Sequence, residues 1–98
     1  MDLNLTFRHM SPSAPLKAYV SKKIRRLEKY CEKEGSLHAI LESEKLDCRC
    51  ELIIHVSGAP ITVHDVNTDM YASIDLAIDK AERALVRRKE KLHNHSTR

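Results

Sequence analysis

The sequence predicts an α+β fold in the order β-α-β-β-β-α, a four-stranded sheet with two helices packed on one face. Three observations predict it. The N-terminal residues alternate polar and apolar, two longer segments repeat apolar residues at helical spacing, and three strand-like segments lie together between those helices. At 98 residues the chain is one domain, 1–98, with a single modest core and any site on its surface.

Leu3, Leu5 and Phe7 alternate with Asn4, Thr6 and Arg8, the pattern of a strand with one buried face. Prolines 12 and 15 end it, and Ser13 before Pro15 suits a helix N-terminus, where the missing proline N–H has no intrahelical partner to lose. From Ala14 the stripe Leu16, Tyr19, Val20, Ile24, Leu27, Tyr30 and Cys31 predicts one helix to about Lys33, closed by Gly35 in a left-handed cap. Strands are expected over 37–44, 48–56 and 61–66, with Ser57-Gly58-Ala59-Pro60 as the turn between the last two. Thr68 or Asp69 caps a second helix whose buried stripe is Ile74, Ile78, Ala81, Leu85 and Leu92. A flexible tail is expected from about 93 to 98.

Composition excludes several classes of function. The apolar runs are far too short to span a bilayer, and the N-terminus lacks the basic start and apolar block of a secretory signal, so no membrane partner is expected. Cys31, Cys48 and Cys50 are an odd number, read as free thiols in a cytoplasmic protein, with Cys48 and Cys50 turned together into the core. A C-x-C pair with scattered His9, His38, His55 and His64 does not make the paired motifs of a zinc site, and His93 and His95 fall in the expected tail. Two glycines leave no phosphate-cradling loop, and no Ser/His/Asp set or isolated acid pair stands out. An enzyme, a cofactor, a metal or a small-molecule substrate is therefore not expected.

The net charge of +3 hides a strong segregation. Residues 16–33 hold seven cations and two acids, residues 34–79 two cations and nine acids, and residues 80–98 seven cations and two acids. On a continuous first helix, Lys22, Arg25, Arg26, Lys29 and Lys33 fall within an arc of roughly 100° opposite the apolar stripe. On the second helix Lys80, Arg83, Arg87 and Lys91 are spaced by three, four and four, with Arg88 and Lys89 flanking.

One Lys-rich helix face is commonly no more than a solubilising surface. Two cationic rows on neighbouring helices, each self-repelling, favour a polyanion that gains from both. The acids, concentrated in the strands, should face away from it. With Phe7, Tyr19, Tyr30 and Tyr71 as the aromatics, most of them assigned to the core, no surface set remains for stacking unpaired bases. Recognition of phosphates and shape in a structured RNA is the expectation. The alternative is a protein-interaction module that docks a basic protein through its acidic sheet face. A metal-binding regulator is a third and weaker possibility.

Several segments resemble the bacterial ribosome hibernation promoting factors, a family that includes the short ribosome-associated translation inhibitors and the sigma factor modulation proteins. The resemblance is carried by Leu3-Asn4-Leu5-Thr6, by the run from Lys23 to Tyr30, by His55-Val56 before Gly58, and most specifically by Asp69-Met70-Tyr71-Ala72 with Ile74-Asp75, Ile78, Lys80, Arg83, Leu85 and the run from Lys89 to Leu92. It covers nearly the whole chain. It implies a fold similar to double-stranded RNA-binding domains and, as partner, the small ribosomal subunit and its ribosomal RNA near the decoding centre. There the messenger and transfer RNA sites would be blocked in starved or stationary-phase cells.

Lys23, Arg26, Lys29, Lys80, Arg83, Arg87, Lys89 and Lys91 match basic positions of the family pattern, and the helical wheel adds Lys22, Arg25 and Arg88. Lys23 lies at the edge of the apolar stripe. Cys31 stands where many relatives have an aromatic residue, and Ala59 replaces a frequent turn glycine. The chain ends soon after the second helix, which resembles the short type that promotes inactive ribosome dimers. A monomer is expected when it is free.

Overall fold

A computed structural model describes residues 1–31 and 34–96, the side chains of 91–96 excepted. It contains β1 (Asp2–Arg8), α1 (Ala14–Lys23), α2 (Arg25–Glu28), β2 (Ser36–Glu44), β3 (Asp47–His55), β4 (Ile61–Asn67) and α3 (Met70–Ser96). The strands form one sheet in the order β1-β2-β3-β4, with β1 parallel to β2 and the other two pairs antiparallel. The expected α+β architecture is therefore present.

Alternation puts Leu37, Ala39 and Leu41 of β2 opposite Ile54, Leu52 and Cys50 of β3, and all six are wholly buried beneath the helices. Leu16, Val20, Ile24 and Leu27 cover one half of that face, and Ile74, Ala77, Ile78, Ala81 and Leu85 of α3 cover the other. Ser13 caps α1 by accepting the Leu16 N–H at 3.3 Å, and Asp69 caps α3 by accepting the Tyr71 N–H at 3.1 Å. Asp69, rather than Thr68, is the α3 cap. At the β3–β4 turn Gly58 takes φ 97°, a conformation a side chain would strain, and it lies beneath the Arg88 guanidinium.

Three expectations are corrected. The first helix is not continuous: α1 stops at Lys23, and beyond Ile24 the N–H groups of Leu27, Tyr30 and Cys31 reach back only three residues, to Ile24, Leu27 and Glu28. Ile24 and Leu27 nevertheless stay buried together across the break.

Gly35 accordingly caps no helix. Its carbonyl accepts the Asp2 N–H at 3.0 Å and opens the β1–β2 pairing. At the other end the α3 backbone stays helical through Ser96, across residues expected to begin a tail at 93. Lys33, Thr97 and Arg98 lie outside the described residues, as do the side chains of Lys91, Leu92, His93 and His95. Among the described residues no helix is long and apolar enough to cross a membrane.

Candidate nucleic-acid interface

The helices α1 and α2 lie beside α3 and run in its direction, because their cross-contacts climb both chains together. Tyr19 meets Tyr71 edge to face at 4.8 Å between ring centroids and donates its hydroxyl to Asp75 at 2.7 Å. Further along, Arg26 reaches Asp79 at 2.9 Å and Glu82 at 2.8 Å. The seam between the helices is thus a row of carboxylates, Asp75, Asp79 and Glu82, facing the cations of the first helical segment. The expectation that the acids are concentrated in the strands overlooked this row.

That seam divides the eleven expected site residues. Lys23 lies 3.7 Å from Asp75 and 5.3 Å from the centre of the Tyr19 ring, at the edge of the apolar stripe where the wheel placed it. Arg26 is turned into the seam, not out along the expected arc, where Asp79 and Glu82 of α3 accept from its guanidinium. Lys80 leans over β4, paired with Asp65 at 2.9 Å and donating to the His64 carbonyl at 2.8 Å. These three hold elements together and offer little unbalanced charge.

The others are presented differently. Lys22 and Arg25 are exposed on α1 and α2. Arg83 and Arg87, one turn apart, stand exposed on the crest of α3 opposite its buried stripe, and Lys89 is exposed one turn beyond the buried Leu85, on the stripe side. None of these five has an ion-pair partner among the described residues.

Lys29 lies 5.3 Å above the Tyr30 ring, and Arg88 donates to the Ser57 carbonyl at 3.3 Å, which anchors the β3–β4 turn to α3. Lys29, Arg88 and Lys89 line one cavity of about 290 Å³, while Arg83 and Arg87 line a neighbouring depression together with Glu82 and Glu90, and Tyr30 is common to both. The structure thus gathers five cations around Tyr30 at the C-terminal half of α3. The backbone of Lys91 continues the same helix, and its side chain lies outside the described residues.

The opposite face of the sheet is not uniformly acidic. The register sets Glu42 between Arg8 and Arg49, and Arg49 lies 3.4 Å from Glu51. A docking face for a basic protein, the alternative drawn from the strand acids, is thereby weakened. On this face Thr6 Oγ1 and His38 Nε2 are hydrogen-bonded at 2.8 Å.

His9, held at φ 57° after β1, brings Nδ1 within 3.2 Å of Glu42, and with Glu44 it offers three possible metal-ligating atoms within 4.8 Å of one another. Sequence spacing could not find that group, because it depends on the β1–β2 register. Cys48 and Cys50 stand outside it. Cys50 is buried, which pushes its thiol up to about 12, and Cys48 directs Sγ to the Thr68 carbonyl at 3.7 Å. Burial also raises the Cys31 thiol.

Comparison with known proteins follows the same outline. Residues 3–93 match the family model described as sigma 54 modulation protein / S30EA ribosomal protein. The chain is 38% identical over 91 residues to the ribosome hibernation promoting factor of Azotobacter vinelandii, covering 93% of this chain and 85% of that one. It is 36% identical over 95 residues to the protein of the same name from Salmonella typhimurium, covering 97% and 100%. Among solved structures, the N-terminal domain of Thermus thermophilus Protein Y superposes with a TM-score of 0.82 at 28% identity, covering 89% of this chain and 98% of that one. A ribosomal subunit interface protein from Coxiella burnetii shares the fold, with a TM-score of 0.83 at 24% identity over 92% and 99%.

Proposed function

The chain belongs to the sigma 54 modulation protein / S30EA ribosomal protein family, and from that premise we propose that it is a non-enzymatic ribosome hibernation factor of the cytoplasm. It binds ribosomal RNA of the small subunit near the decoding centre, occupies space needed by messenger and transfer RNA, and promotes inactive ribosome dimers in starvation or stationary phase. Silencing is by occupancy, so no bond is made or broken.

The observation that carries this reading is the sorting of the cations. Lys23, Arg26 and Lys80 are balanced by Asp75, Asp79, Glu82 and Asp65, whereas Lys29, Arg83, Arg87, Arg88 and Lys89 converge around Tyr30 without an acidic ion-pair partner among the described residues. Lys22 and Arg25 extend the positive surface along α1 and α2, and Lys91 is included as a further contact residue. Arg and Lys side chains that outnumber the neighbouring Glu82 and Glu90 on one end of the helical layer suit closely spaced phosphates, which release counterions on binding. Support for the ribosome as the source of those phosphates comes from the family and from relatives named ribosome hibernation promoting factor.

The test is a sucrose gradient of ribosomes with and without the protein. The proposal expects the protein in small-subunit and ribosome fractions and an increase of the dimer peak. Protein remaining at the top of the gradient would refute it, and association without a dimer peak would remove the pairing step alone.

A further inference from the structure

The cavity beside Tyr30 has a chemistry that contact with phosphates alone does not require. Tyr30, Val56 and Leu85 give it an apolar wall, and Lys29, Arg88 and Lys89 surround that wall with positive charge. No acidic residue lines it among the described residues. Its volume of about 290 Å³ is enough for one nucleotide and too small for a duplex. Tyr30 also lines the depression carrying Arg83 and Arg87 beside Glu82 and Glu90, so a strand that lays phosphates on both sides passes that residue.

We infer that this cavity seats one unpaired nucleotide of the bound RNA, its base against Tyr30 and its phosphate on Lys29, Arg88 and Lys89. This rests on the RNA-binding reading above and adds a base contact to it. The ring supplies the π-face and Val56 and Leu85 the apolar surround. Arg88 is already oriented by the Ser57 carbonyl, so its remaining N–H groups meet the phosphate without a large loss of side-chain freedom. Shape and charge admit any base. The expectation that the chain has no stacking surface is revised at this one residue, which is half-buried in the core's margin and lines the cavity, with the Lys29 ammonium 5.3 Å from its ring centre.

The test compares two probes of equal charge at low salt, pentauridylate and a five-unit abasic ribose-phosphate chain, by fluorescence anisotropy with the full chain. The wild type should bind pentauridylate at least about fivefold more tightly, the lower end of what one stacked base contributes. Tyr30→Leu should reduce that gap below about twofold and Tyr30→Phe should keep it, while Arg83→Gln with Arg87→Gln should weaken both probes in proportion. Cys31, which also lines the cavity, should be alkylated more slowly by N-ethylmaleimide in the presence of pentauridylate than of the abasic chain.

Equal affinity of the wild type for the two probes would overturn the nucleotide seat, and needs no variant that folds. If the wild type still sediments with ribosomes, the RNA-binding reading survives that result. If it neither sediments nor holds either probe, the reading and the seat fall together.

Discussion

The Arg26 guanidinium on α2 lies 2.9 Å from the Asp79 carboxylate on α3, and the same nitrogen lies 2.8 Å from Glu82. A residue that matches a basic position of the family pattern is therefore part of a seam between helices. Arg26→Gln should lower stability by about 1 kcal/mol or less, since the pairs are exposed to solvent. It should leave the salt dependence of ribosome binding nearly unchanged. Denaturant melts and a salt titration of the same variant separate the two effects.

Affinity for ribosomes should fall steeply with added salt. Arg83→Gln with Arg87→Gln should flatten the slope of log K against log salt by about 1.4 to 1.8, since each lost phosphate contact removes roughly 0.7 to 0.9. Thermal melting should not move, because both side chains stand exposed on the α3 crest. A titration by filter binding or anisotropy reads the slope.

Much of the fold was legible because local patterns and tertiary demands agree. The alternation at Leu3, Leu5 and Phe7, the Ser13 and Asp69 caps and the α3 stripe each point to the element observed. The break after Ile24 was not legible, because Val20, Ile24, Leu27 and Cys31 keep the spacing of a continuous helix. The site was legible only in part. Arg83, Arg87, Arg88 and Lys89 follow from the α3 period, but the loss of Lys80 to Asp65 depends on how β4 lies beside α3, and that of Arg26 on the helix pairing. The cavity at Tyr30 joins three separate elements, and no local signal announces it.

Ser73 is the buried polar residue of α3 among the described residues, with its hydroxyl donated to the Cys48 carbonyl of β3. Ser73→Ala removes that donor and leaves the carbonyl with one partner fewer in a closed interface. It should cost about 1–2 kcal/mol, read as a shift of several degrees in the melting midpoint. Ribosome binding by the folded fraction should be unchanged.

Alkaline stability should decline in a defined window. Burial raises the Cys50 thiol to about 12 from an ordinary value of 9.0, and the hydrogen bond to Asp75 raises the Tyr19 hydroxyl to about 12 from 10.0. In both cases the folded state holds the proton more tightly than the unfolded chain. Their contribution is complete below about pH 9 and is lost as pH rises towards 12. Denaturant melts from pH 8 upward should show the loss, and Asp75→Asn should bring Tyr19 ionisation to lower pH in a spectrophotometric titration.

The most direct test of the account is cosedimentation of the doubly charge-reversed protein, Arg83→Glu with Arg87→Glu, with small ribosomal subunits at low salt. Wild-type protein should travel with the subunits while the variant, melting at the same temperature, stays at the top of the gradient. A folded variant that travels with the subunits as the wild type does would contradict the account, because the cations on the α3 crest would then not be what holds the RNA.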